Sequence, residues 1–259
     1  MSGLYGPQLL GDSLAGRLRT ALKLGSKDAV DALLRRRAPF APSRRMWPPG
    51  VGDFALDGRE QVNLMIGLGK LSPEARMVEV QCGVGLRARS LTDWLGPGAK
   101  YDGIDTDAGL ATWCEQTYAE RLDFDFGHYE SLDAPLPFAD GTKDFVLLWD
   151  VLPHLDHGAV VQMLREAHRI LLPGGCLFVS SYLLDDQAIA AIAGGSAEIG
   201  FMGRDVTGAA DPDGLQAQDE EWLLDRVAET GFKHVGIRHG TWSGRADGRS
   251  TFDILVARM

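Results

Sequence analysis

From Arg76 onward the chain alternates short apolar runs with longer stretches of helical periodicity, and this alternation constrains the fold more than any other feature. The apolar runs are Met77–Val80, Tyr101–Ile104, Phe124–Phe126, Asp144–Trp149 and Cys176–Tyr182. Helical stretches cover Leu86–Leu95, Leu110–Arg121 and Ala159–Leu172. Gly96-Pro97-Gly98 and Pro173-Gly174-Gly175 close two of them. Strands separated by helices pair in parallel through crossovers, so the pattern predicts an α/β, doubly wound sheet. Ligands of such sheets bind beyond the carboxyl ends of the strands.

The flanks read differently. Leu14, Leu18 and Leu22, then Val30, Leu33 and Leu34, recur at helical spacing until Pro39 and Pro42. A loop at Trp47-Pro48-Pro49-Gly50 and a helix near Glu60–Leu68 follow. The expected division is an N-terminal helical cap over 1–57 and one larger domain over 58–259. Toward the other end, Gly194–Gly214 lacks periodicity and reads as a mobile loop. A helix over Glu220–Glu229, closed by Gly231, leads to strands Phe232–Arg238 and Thr251–Val256, which should pair antiparallel.

Charge and cysteine content narrow the function classes. Between Ser13 and Arg45, nine Lys or Arg face two Asp, a surplus of seven; the rest carries −17 of a net −10. An acidic chain is a poor nucleic-acid coat. The basic segment reads as a solvated helix face rather than a membrane or acidic-substrate contact. Cys82, Cys114 and Cys176 suggest neither a disulfide framework nor a zinc site, and fit a reducing cytoplasm. No apolar run reaches the ~18 residues of a membrane span. The expectation is a soluble protein with a small-molecule partner, no nucleic acid and no stable membrane insertion; a homodimer is allowed.

The chemistry concentrates at the turn after the first strand. Gly83 and Gly85 let the backbone turn sharply and approach a ligand closely. Asp105, twenty-two residues past Gly83, ends the next strand, where a carboxylate can accept hydrogen bonds from ribose hydroxyls. This pair points to a nucleoside cofactor without saying which. Gly83-Val84-Gly85-Leu86-Arg87-Ala88 even satisfies a nicotinamide-dinucleotide pattern. Glu79 argues against a pyrophosphate and for an ammonium group.

Downstream motifs extend the pattern: Leu136-Pro137-Phe138-Ala139-Asp140, Val151-Leu152-Pro153-His154-Leu155, and Arg169-Ile170-Leu171-Leu172-Pro173-Gly174-Gly175. With the turn they resemble the class I S-adenosylmethionine-dependent methyltransferase family, over about Val78 to Ser180. Gly52-Asp53-Phe54, Trp113-Cys114, Gly240-Thr241-Trp242-Ser243-Gly244-Arg245 and Asp253-Ile254 are similar to a bacterial small-molecule and sugar branch. The resemblance implies a seven-stranded, mostly parallel sheet, S-adenosylmethionine as cofactor and S-adenosylhomocysteine as product. It implies that Glu79, Gln81, Cys82, Gly83 and Gly85 hold the methionine end, Asp105 the ribose, Thr106 the adenosine, and Glu130 with Ser131 the adenine. The Trp149 backbone carbonyl would face the methionine ammonium. Gln81 departs from the family, which has a glycine there.

An oxygen acceptor wants a base within reach. His154 follows the fourth strand, with Asp150 still closer to its end; both are the expected catalytic residues, ahead of His128 and His157. Tyr182, Trp242 and Arg245 are expected to shape the acceptor pocket, Trp242 as a stacking face and Arg245 as a donor fork. The reading that results is methyl transfer to a hydroxyl of a sugar or natural-product intermediate. An NAD-dependent oxidoreductase, or a nucleoside-binding protein with a decayed turn, are the alternatives.

Overall fold

The computed structural model describes residues 42–201, 208–211 and 214–259. The expected helices before Pro39, and with them most of the basic segment, lie outside the described residues.

Helix α1 spans Phe54–Gly67, starting earlier than its periodicity suggests because Asp53 caps it, accepting from the amides of Ala55 and Leu56. The expected boundary between residues 57 and 58 falls inside this helix. Then come β1 (Arg76–Val80), α2 (Leu86–Trp94), β2 (Lys100–Asp105), α3 (Ala108–Thr117), β3 (Phe124–His128) and β4 (Lys143–Trp149). A 3-10 turn over Leu152–His154 leads to α4 (His157–Ile170), β5 (Leu171–Ser181), β6 (Leu183–Leu184) and α5 (Asp186–Ala193). The chain ends with β7 (Gly208–Ala210), β8 (Gln216–Asp219), α6 (Glu220–Thr230), β9 (Lys233–Arg238) and β10 (Asp253–Arg258).

Seven strands form one sheet in the order β3-β2-β1-β4-β5-β10-β9. β1 runs parallel to β4, β4 to β5, and β2 to β3. β10 is antiparallel to both β5 and β9; for β9 this is what two successive strands with no helix between them require. Two readings change. β5 begins at Leu171, so Pro173-Gly174-Gly175 sits inside it as an irregularity, where the register with β4 shifts between Lys143 and Phe145. Within the stretch read as a loop the described residues include one strand, β7, which pairs with β8 beyond it; β8 joins β6, giving a second, three-stranded sheet. Their Gly, Ala and Gln residues carry no apolar alternation, which is why periodicity misses them.

The chain divides into two compact units. The first comprises the described residues up to Ala75 together with Cys82–His128. In it, α1 buries Phe54, Gly58, Val62 and Met65 along one stripe. Gly58 is required there, since a Cβ would stand 2.3 Å from the Leu86 carbonyl oxygen at the start of α2. The second unit holds Arg76–Gln81 and Tyr129–Met259. Its core is the run Phe145–Trp149, wholly buried, as a central parallel strand covered on both faces must be.

Candidate active site

In the first unit, the site begins at the turn between β1 and α2. The Gly83 amide donates to Oδ2 of Asp105 at 2.8 Å, and the Asp107 amide donates to Oδ1 at 2.8 Å. Asp105 is 5% exposed, so these charge-assisted bonds fix both the turn and the carboxylate. Each oxygen keeps a lone pair for a further donor. Cys114 donates its thiol to the Gly83 carbonyl at 3.3 Å, and Tyr118 its hydroxyl to the Gly85 carbonyl at 3.1 Å. Gly85 has φ +70°, and a Cβ there would meet the Tyr118 ring at 3.1 Å. Gly83, at φ +56°, instead faces open space, with no atom within 4 Å of where a Cβ would stand. A backbone held this firmly and bare on one side fits a cofactor that lies against it. Thr106 follows, half-buried.

In the second unit, β1 and β4 end side by side, Val80 opposite Leu148. Glu79 is completely buried in β1. Gln81, just past the strand, has φ +59°, and Asp150, just past β4, has φ +57°. A non-glycine residue in this left-handed region costs about 1–2 kcal/mol. Gln81 therefore keeps the backbone conformation a glycine would favour, while carrying a side chain. Such strain gathers at functional sites.

The Trp149 ring is core, stacked 6.4 Å from Phe178 and edge-on to Phe252 at 6.1 Å. The Asp150 amide donates to Oγ of Ser180 at 2.8 Å. The 3-10 turn then brings His154 back, with Nε2 3.8 Å from Oδ1 of Asp150. Asp150 holds the imidazole above its ordinary pKa, against the opposing effect of partial burial. Glu130 and Ser131 are exposed loop residues. His157 packs edge-on against Trp222 at the start of α4, and His128, in the first unit, is exposed at the end of β3.

Residues 77–175 match the family model of the methyltransferase domain. The chain carries a class I methyltransferase domain. S-adenosylmethionine is its cofactor, S-adenosylhomocysteine its product, and the chain is a methyltransferase. Solved structures share its fold. A protein of Pyrococcus horikoshii OT3 aligns at TM-score 0.61 and 15% identity, over 83% of this chain and 96% of that one. An S-adenosylmethionine-dependent methyltransferase of Mesorhizobium loti gives 0.56 and 17%, over 79% and 100%. The 4+2 cyclase SpnF gives 0.56 and 20%, over 77% and 80%.

Within the methyltransferase domain, two of the sequence motifs tie to each other. Arg169 donates to the Leu136 and Phe138 carbonyls and pairs with Asp140 at 2.7 Å, while Glu166 accepts from the Leu136 amide at 2.8 Å. These residues hold the loop before β4, so the recurrence of both motifs is architectural.

The expected acceptor residues need correction. Trp242 offers no open stacking face: its indole is completely buried, at 5.4 Å from the Tyr182 ring and 5.5 Å from Phe201. Its Nε1 donates to Oδ2 of Asp253 at 2.6 Å. Tyr182 belongs to the same apolar cluster, and burial pushes its hydroxyl pKa up. The Arg245 guanidinium already donates to Ser243, Gln187 and Asp185. It nonetheless lines a polar cavity of about 350 Å³ with Asp185, Gln187, Arg238, His239 and Asp247. This cavity lies toward the carboxyl end of β5, because its lining residue Arg238 pairs with Ile254, which in turn pairs with Ser180.

Two groups escape a sequence reading. Asp185, Glu220 and His239 bring ligand-type atoms within 4.8 Å of one another, with Arg245 against Asp185. Burial lifts the Glu220 carboxyl above its ordinary value; His239 pulls it down, Asp185 and Asp253 push it up. Separately, Ser180, Ser181 and Gln218 sit buried behind Asp150 and the 3-10 turn. No spacing along the chain links residues so far apart.

Proposed function

We propose that this methyltransferase acts on a hydroxyl of a small molecule, a sugar or natural-product intermediate. The observation that carries the reading is the Asp150–His154 pair, set at the carboxyl end of the strand beside β1. The sulfonium of S-adenosylmethionine supplies an activated methyl group for in-line displacement, so the protein's share is placement, up to ~7–11 kcal/mol. In this reading Gly83, Gly85 and Cys82 give the cofactor its backbone bed and Asp105 accepts from the ribose. Thr106, Glu130 and Ser131 lie toward the adenosine, and Glu79, Gln81 and the Trp149 carbonyl toward the methionine. His154 takes the acceptor proton at Nδ1, while Asp150, which faces Nε2, stabilises the imidazolium that forms. The polar cavity with Arg245 suits an acceptor rich in hydroxyls. Three buried free cysteines favour a reducing cytoplasm.

Calorimetry with S-adenosylmethionine, S-adenosylhomocysteine and NAD tests the cofactor; binding of NAD alone would reject the proposal. A screen of hydroxylated acceptors for a methyl-dependent mass gain tests the transfer.

A further inference from the structure

Beyond Asp150 and His154, we infer that Ser180 and Gln218 are positioning residues that hold this pair in its working geometry. The inference rests on the proposed role of His154 as base. Asp150 stands in the left-handed backbone region, and its amide is taken by the Ser180 hydroxyl oxygen at 2.8 Å. Ser180 is completely buried and pairs across the sheet with Trp149, the residue before Asp150. The acceptor is therefore built into the neighbouring strand at the height where β4 turns away.

The middle of the segment is held as well. Gln218, on β8 and completely buried, donates Nε2 to the Leu152 carbonyl at 3.2 Å. The same carbonyl accepts from the Leu155 amide at 3.1 Å, so it closes the turn on which His154 sits. The Ser181 hydroxyl donates to Oε1 of Gln218, which fixes the amide so that its NH2 faces Leu152. One strand end, Ser180-Ser181, thus holds the five-residue path from Asp150 to His154 at its start directly and, through Gln218, at Leu152 in its middle. Water cannot substitute easily for partners this deeply buried, whereas Asp150 and His154 themselves are about half exposed and would otherwise sample many rotamers. The charged group facing His154 among the described residues is Asp150; Asp150 is in turn felt by Tyr182.

The test reads His154 without needing an acceptor. Its imidazole C–H resonances are titrated by NMR in the full chain and in Ser180→Ala, Ser180→Thr and Gln218→Leu, with folding checked by circular dichroism. The wild type and Ser180→Thr, which keeps the hydroxyl, should titrate alike, above the ordinary value. Ser180→Ala and Gln218→Leu should titrate closer to about 6.5. Once an acceptor is in hand, both should lose up to about 100-fold in kcat with cofactor Kd within twofold of wild type. Unchanged titration in folded Ser180→Ala and Gln218→Leu would overturn the inference; Ser180→Cys serves if the alanine variant does not fold. If the titrations shift as expected but His154→Ala transfers methyl at the wild-type rate, the positioning stands and the role of His154 as base fails.

Discussion

The amide of Gly83 and the carboxylate of Asp105, twenty-two residues apart, are joined by a 2.8 Å hydrogen bond. A residue expected to bind ribose is thus also the one that shapes the glycine turn. The two roles predict a double defect. Asp105→Ala leaves the Gly83 and Asp107 amides without their acceptor, costing about 1–3 kcal/mol for each buried donor. Denaturant unfolding should report that loss. Isothermal calorimetry should report S-adenosylhomocysteine affinity reduced at least tenfold. Affinity unchanged in a folded variant would remove Asp105 from the cofactor site.

Gln81 occupies a backbone conformation that favours glycine. Gln81→Gly removes a left-handed cost of about 1–2 kcal/mol and adds an unfolded-state entropy cost of about 0.5–1 kcal/mol. The net gain should be roughly 0.5–1 kcal/mol, visible as a Tm rise of about 1–4 °C. Cofactor affinity should hold or rise if the amide is a bystander, and fall if it touches the methionine end.

The fold was legible because its signals are local. Apolar runs of the length of β1, β2 and β4, and breakers such as Gly96-Pro97-Gly98, need no tertiary information. β6, β7 and β8 were not legible, since Gly208-Ala209-Ala210 and Gln216-Ala217-Gln218 carry neither period. The glycine turn was readable for the same reason as the strands: Gly83, Gly85 and Asp105 occupy fixed places around a strand–turn–helix unit, and a hydrogen bond joins Gly83 to Asp105. The stacking face expected of Trp242 was misread because tryptophan serves burial and recognition equally well. What decides between the two is Asp253, whose carboxylate takes up the Trp242 indole N–H, and no pattern along the chain predicts that pairing.

The Asp150–His154 pair predicts a pH profile. Asp150 raises the His154 pKa, so the imidazole stays protonated to higher pH and is available as a base only above that raised value. The acid limb of kcat should therefore lie above the ordinary histidine value of about 6.5. Asp150→Asn, which tolerates the left-handed backbone, should move this limb to lower pH while reducing the plateau. The stability linkage has a matching sign. A raised folded-state pKa stabilises the fold below the unfolded value, and that contribution fades as pH rises through the folded one. In Asp150→Asn the part of the acid-side stability owed to the pair should disappear. Kinetics and thermal melts from pH 5 to 9 check both, and a limb that stays in place would separate Asp150 from the titration.

Asp253 gives the last prediction. Its side chain is wholly buried and accepts from the Leu183 amide at 2.7 Å, the Gly240 amide at 2.7 Å and Trp242 Nε1 at 2.6 Å. Burial pushes its pKa up, while the three donors and His239 work in the opposite direction. It joins the start of β6, the segment after β9 and the buried indole at one point. Trp242→Phe keeps most of the apolar volume but removes one donor, so it should cost about 1–3 kcal/mol. Trp242→Ala also opens a cavity in the cluster with Tyr182 and Phe201 and should cost about 3–5 kcal/mol. Asp253→Asn points an amide NH2 at some of the same donors and should cost at least as much as Trp242→Phe. Chemical denaturation ranks the three, and cofactor affinity should stay within twofold of wild type in the folded variants. Loss of cofactor binding in folded Trp242→Phe would show that the indole does more than hold this corner together.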